Sequence, residues 1–142
     1  MNHLPPVNLR HRIAEVLMKI SCGLDLLEIS RIERVLTKHG ERFLARVYTP
    51  KEIVTCAKKA ESYAGYFAAK EATAKALGTG LMTDGIKFTD IEILKDDKGA
   101  PYVALHDAAK TRYLELNGQD IAISITHERS YAAAVCYLLR GD

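Results

Sequence analysis

The sequence predicts an α+β fold, an antiparallel sheet packed with a long central helix. Three observations carry that prediction. Residues 61–77 are rich in alanine and stop at Gly78, as a long helix with a glycine terminus does. Residues 120–139 hold two apolar runs joined by Glu128-Arg129-Ser130, an antiparallel hairpin. Lys19 to Ile29 is a short apolar run that ends sharply, as a strand buried on both faces does.

Composition limits the function. The chain has 142 residues, 48% hydrophobic and 27% charged, which is one globular domain's worth. A net charge of +2 is too small to argue for nucleic acid. Cys22, Cys56 and Cys136 form neither a zinc pattern nor a paired framework, which suggests a reducing compartment and a cytoplasmic protein. No apolar run reaches the ~18 residues a membrane span needs, and the N-terminus lacks a signal-peptide core.

Taken in order, residues 1–17 read as an N-terminal extension and residues 18–142 as a single domain. Pro5-Pro6 precedes a short amphipathic pattern, Leu9, Ile13, Val16 and Leu17, from about Asn8; Met18 is a second candidate start. The strand from Lys19 places Asp25 between Leu24 and Leu26, where an ionised carboxylate needs a partner or a metal. Ser30-Arg31-Ile32-Glu33 has the capping-box pattern, predicting a helix from Arg31 to about His39 with a stop at Gly40. Arg31, Arg34, Lys38, Arg42 and Arg46 make a basic segment, either a solvated face or a docking surface. Thr49-Pro50-Lys51-Glu52 is a second capping box, opening a helix to about Lys59.

The long helix follows. Lys70, Glu71 and Lys75 interrupt its small apolar surface, and Glu71 and Lys75 share a face one turn apart. They are either an ordinary ion pair or a carboxylate for a metal beside an ammonium for a phosphate. The second reading needs another carboxylate, and Asp25 is the candidate. Thr79 to Lys87 reads as a loop, Phe88 to Leu105 as a hairpin turning at Asp96-Asp97-Lys98-Gly99, and His106 to Leu116 as a helix ended by Asn117-Gly118.

Four stretches now stand together: Gly23-Leu-Asp-Leu-Leu-Glu-Ile-Ser-Arg-Ile-Glu33, Phe43-Leu-Ala-Arg-Val-Tyr-Thr-Pro-Lys-Glu52, Phe67-Ala-Ala-Lys-Glu-Ala-Thr-Ala-Lys-Ala-Leu-Gly-Thr-Gly80 and Ser124-Ile-Thr-His-Glu-Arg-Ser-Tyr-Ala-Ala-Ala134. In this order and spacing the chain resembles the small 4′-phosphopantetheinyl transferases, the holo-acyl-carrier-protein synthases, over about residues 18–140. The resemblance implies transfer of 4′-phosphopantetheine from coenzyme A to a serine of an acyl carrier protein, releasing adenosine 3′,5′-bisphosphate, in fatty-acid biosynthesis. It implies magnesium and a homotrimer with sites between subunits. It places the metal on Asp25 and Glu71, coenzyme A phosphates on Lys75, and the nucleotide side on His127. It places the carrier-docking region at Arg31, Lys38 and Arg42, which we extend to Arg34 and Arg46.

Physical chemistry suits these roles. Magnesium takes oxygen ligands and keeps waters, so two carboxylates plus pyrophosphate oxygens suffice. Glu71 and Lys75 are the expected catalytic pair. The serine proton goes to Glu71 or to a water held by the metal; the sequence leaves both open. Gly78 and Thr79 are expected to offer backbone N–H groups to a phosphate, against the simpler reading of a helix stop. Tyr66 stands where the family commonly has Arg, and Lys58 or Lys59 is the replacement cation the sequence offers. Two rival readings remain, a magnesium-dependent phosphohydrolase and a non-catalytic carrier-binding module. No dense acidic motif supports the first, and Asp25, Glu71 and Lys75 together argue against the second.

Overall fold

The computed structural model describes residues 17–141. The helix expected from Asn8 lies outside the described residues. Strand β1 (Met18–Glu28) leads into helix α1 (Ile29–Val47), then α2 (Pro50–Cys56) and the long α3 (Ala60–Ala76). A 3-10 turn at Phe88–Asp90 precedes strands β2 (Ile91–Lys95) and β3 (Pro101–Leu105); helix α4 (Asp107–Glu115) and strands β4 (Gly118–His127) and β5 (Tyr131–Gly141) follow. The larger sheet is antiparallel with order β1-β5-β4; β2 and β3 form a separate hairpin. The α+β fold around one central helix is as expected.

Helix α3 is central because small residues cover most of its surface. Eleven of its 17 residues are buried, which suits a helix without a polar face. It packs against the inner face of the sheet through Ala64, Ala68, Ala69, Ala72 and Ala76, opposite Leu27, Ala132, Ala134, Cys136 and Leu138. Gly23 is needed at the crossing. A Cβ there would lie 1.9 Å from the Ala72 carbonyl oxygen and 2.8 Å from Lys75 Cβ, so any side chain would push β1 off the helix.

Three expectations are corrected. β1 is not buried on both faces in a single chain. Ser21, Gly23, Asp25 and Leu27 alternate with Ile20, Cys22, Leu24 and Leu26, and Leu24 and Leu26 are each 65% exposed. The Ser30 capping box does not form: α1 begins at Ile29 with no side-chain cap, and Ser30 Oγ donates to Glu28 instead. Gly40 (φ 46°, ψ −124°) breaks helical geometry, but α1 resumes and continues to Val47, so Arg42 and Arg46 also lie on helix. The Thr49 capping box does form, and α2 ends at Cys56 because Ala57 and Lys58 are left-handed.

Candidate active site

The site forms where β1 crosses α3. Strand alternation turns Asp25 to the same side as Gly23, toward the helix. Because Gly23 allows close approach, the helical turn bearing Glu71 and Lys75 lies beside Asp25. Lys75 Nζ donates to the Leu24 carbonyl at 2.7 Å and to Asp25 Oδ1 at 3.3 Å. The side chain of Lys75 is 52% exposed and that of Asp25 18%. Glu71 is half-buried. Burial and then the Asp25 charge raise its pKa above the usual carboxylate value, while the Lys75 ammonium pulls it down. Asp25, Glu71 and Lys75 are therefore one electrostatic group, assembled from residues up to 50 positions apart.

This group fits a hard divalent cation. Its donors are carboxylate and carbonyl oxygens, and a cation, the Lys75 ammonium, already rests against two of them. Among the described residues no cluster of three or more His, Cys, Asp or Glu gathers. Two carboxylates are the protein side-chain contribution here, which suits magnesium because it keeps several waters.

The other candidate residues do not join this group within one chain. His127 is exposed at the end of β4 and lines a cavity of about 220 Å³ with Ser62, Tyr66, Lys95 and Ile125. Tyr66 is buried there, and its hydroxyl has no hydrogen-bond partner among the described residues. Lys58 instead borders an apolar groove with Leu36, Leu44 and Tyr63. The cation that lines the Tyr66 cavity is Lys95, which sequence reading passed over because it sits on a distant hairpin.

Gly78 and Thr79 border a third cavity, with Thr111 and Arg112. Their N–H groups are already used: Gly78 N donates to Lys75 O at 3.0 Å and Thr79 N to Ala74 O at 3.1 Å. This is the double bond-back of a Schellman helix end, with Gly78 at φ 74°. The expected amide cradle for a phosphate is thus corrected to a helix stop. Arg112 Nε closes the end further, donating to Leu77 O at 2.9 Å.

Arg31, Arg34, Lys38, Arg42 and Arg46 are all exposed along α1. None makes an ion pair among the described residues. Sequence reading missed a buried ion pair. Glu52 and Lys70 are both 0% exposed and lie 2.8 Å apart.

Comparison with known proteins places the chain in a family. A family model described as the 4′-phosphopantetheinyl transferase superfamily matches residues 21–136. The holo-acyl-carrier-protein synthase of Ruminiclostridium cellulolyticum is 43% identical over 129 residues, 88% of this chain and 96% of that protein. That of Alkaliphilus oremlandii is 47% identical over 115 residues, 79% and 92% of the two chains. The crystal structure of the Helicobacter pylori holo-acyl-carrier-protein synthase in complex with coenzyme A superposes with a TM-score of 0.76 at 38% identity, covering 82% of this chain and 98% of that one. The Asp25, Glu71 and Lys75 group lies inside the matched region, and the chain belongs to the 4′-phosphopantetheinyl transferase superfamily.

Proposed function

We propose that this chain transfers 4′-phosphopantetheine from coenzyme A to a serine hydroxyl of an apo-acyl carrier protein, with magnesium, in cytoplasmic fatty-acid biosynthesis. The observation that carries the reading is the meeting of two carboxylates and an ammonium where β1 crosses α3, in a chain whose relatives are holo-acyl-carrier-protein synthases. The serine oxygen attacks the phosphorus that bears the pantetheine arm. The phosphoanhydride P–O bond breaks, and adenosine 3′,5′-bisphosphate leaves with the bonding electrons. Glu71 is the residue we assign to accept the serine proton. Lys75 holds negative charge on the pyrophosphate as the bond breaks. Asp25 and Glu71 would hold magnesium, which would supply further charge neutralisation on the pyrophosphate. His127, beside Tyr66 and Lys95, is assigned to the nucleotide side, and Lys58 to the periphery of the coenzyme A site.

The deciding assay follows carrier-protein mass with coenzyme A and magnesium present. A gain equal to the phosphopantetheine group is expected, and chelating the metal should abolish it. Coenzyme A cleavage without carrier modification would indicate the phosphohydrolase. Carrier binding without either reaction would indicate the binding module.

Helix α1 is the carrier-docking surface in this reading. Acyl carrier proteins are acidic, and five exposed cations lie on the helix that directly continues the Asp25 strand. Such rim charges act mainly on association and are screened by salt. Arg31→Glu or Arg42→Glu should raise the KM for carrier protein about tenfold and leave that for coenzyme A within about twofold. Equal effects on both substrates would remove α1 from carrier docking.

The assembly is a homotrimer in this reading. The outer face of the larger sheet supports it, because Ile20, Leu24, Leu26, Tyr137 and Leu139 are all exposed there, and clustered exposed apolar side chains mark interaction surfaces. Light scattering should give about three times the 15.8 kDa chain mass. A stable, active monomer would refute the shared site.

A further inference from the structure

We propose that Lys75 holds the cation position at Asp25 while the site is free of metal, and that a divalent ion entering there releases the lysine toward the coenzyme A pyrophosphate. The inference rests on the transferase reading above. Its basis is the place the ammonium occupies, against the Leu24 carbonyl at 2.7 Å and Asp25 Oδ1 at 3.3 Å. Both are hard oxygens of the kind magnesium takes. An ammonium and a divalent ion repel each other strongly at such range, so they do not share these acceptors.

The lysine is the partner that moves. Asp25 is fixed by β1–β5 pairing, directly opposite Ala134, and its side chain is mostly covered. The Lys75 stem is rooted on Gly23 at Cβ, but the rest of its side chain is half exposed and flexible. From the same root the ammonium can leave Asp25 for a phosphate without backbone motion. Metal and coenzyme A therefore bind cooperatively. Without metal, coenzyme A competes with Asp25 for Lys75; with metal, that competition is gone. By linkage each ligand strengthens the other by the same factor.

A double-mutant cycle isolates this contact from plain charge removal. Coenzyme A is titrated calorimetrically, in EDTA and without carrier protein, into the wild type, Asp25→Asn, Lys75→Met and the double variant. Asp25→Asn removes the ionic partner of the lysine with no metal present and leaves it only the Leu24 carbonyl, so it should tighten coenzyme A about three- to fivefold, the scale of a partly exposed ion pair. In the Lys75→Met background the same substitution should change affinity by less than about twofold. An equal gain in both backgrounds, or a gain in neither, would overturn the proposal. Manganese(II) alone is then titrated without coenzyme A, the free ion being read by electron paramagnetic resonance. Lys75→Met should bind it about tenfold more tightly than the wild type; unchanged or weaker binding would overturn the competition. Failure of the metal assignment has its own signature: wild type and Asp25→Asn would take up manganese equally, and the inference would fall with it. Matching melting curves for the four proteins confirm that folded proteins are being compared.

Discussion

Asp25→Ala and Glu71→Ala should each slow carrier modification by roughly a thousandfold or more at saturating magnesium, with the fold retained. Each carboxylate is asked to supply several kcal/mol of transition-state stabilisation, and every 1.36 kcal/mol is about tenfold in rate. The fold should survive because neither side chain supports the core. Asp25 bonds to the exposed Lys75 ammonium and to no other partner among the described residues. The Glu71 side chain is half-buried and makes no hydrogen bond among the described residues. Its carboxylate sits where burial and Asp25 already disfavour its charge, so the neutral replacement removes repulsion in the resting protein. Single-turnover mass spectrometry gives the rate, and thermal unfolding verifies the fold. Turnover within tenfold of wild type would remove that residue from the mechanism.

How much of this was legible in the sequence depended on whether the signal was local. The Thr49 box, the alanine-rich helix and the hairpin closing at Glu128-Arg129-Ser130 are local patterns, and each formed. The pairing of Asp25 with the Glu71–Lys75 face was legible because an ionised Asp in an apolar strand demands a partner. What made the pairing possible was not legible. Gly23 reads as one more small residue until the Ala72 carbonyl is seen against it. Ser30 had the right spacing for a cap, but the chain turns into helix two residues earlier than expected, at Ile29, and its hydroxyl goes to Glu28. Gly40 carried a true break, yet a break and a terminus look alike in sequence. The amides of Gly78 and Thr79 could not be known as used until the helix end was seen to close on itself. Leu24 and Leu26 read as buried from their apolarity alone, but they lie on the exposed outer face of the sheet.

Lys70→Met should destabilise the protein by about 3–5 kcal/mol, the cost of leaving one member of a buried ion pair alone. For a chain of this size that corresponds to a fall in Tm of about 10–15 °C. Lys70 is the neighbour of Glu71 in sequence but faces the opposite way, into the protein. Its ammonium donates to Glu52 Oε1 at 2.8 Å, to Phe88 O at 3.0 Å and to Ile91 O at 2.7 Å. Glu52 in turn accepts from Thr49 N at 2.7 Å and from Ile93 N at 2.9 Å. One ion pair thus ties α3 to the start of α2 and to β2, and satisfies backbone groups on three segments. Glu52 serves both as the capping-box residue and as the lysine's partner; the second use is 18 residues away and left no trace in the local pattern. Burial lowers the Lys70 pKa and the Glu52 carboxylate works against that shift, while the three acceptors give the ammonium a full set of bonds. Methionine fills the volume but leaves Glu52 charged in the core and two carbonyls without a donor. The double variant Glu52→Gln/Lys70→Met should recover part of the loss, because the uncompensated charge is gone and a neutral amide can still accept from a backbone N–H. Differential scanning calorimetry of the wild type, Lys70→Met and the double variant measures both effects. A Lys70→Met protein that melts within 2–3 °C of wild type, a change of only about 1 kcal/mol, would show that the pair does not hold these segments together.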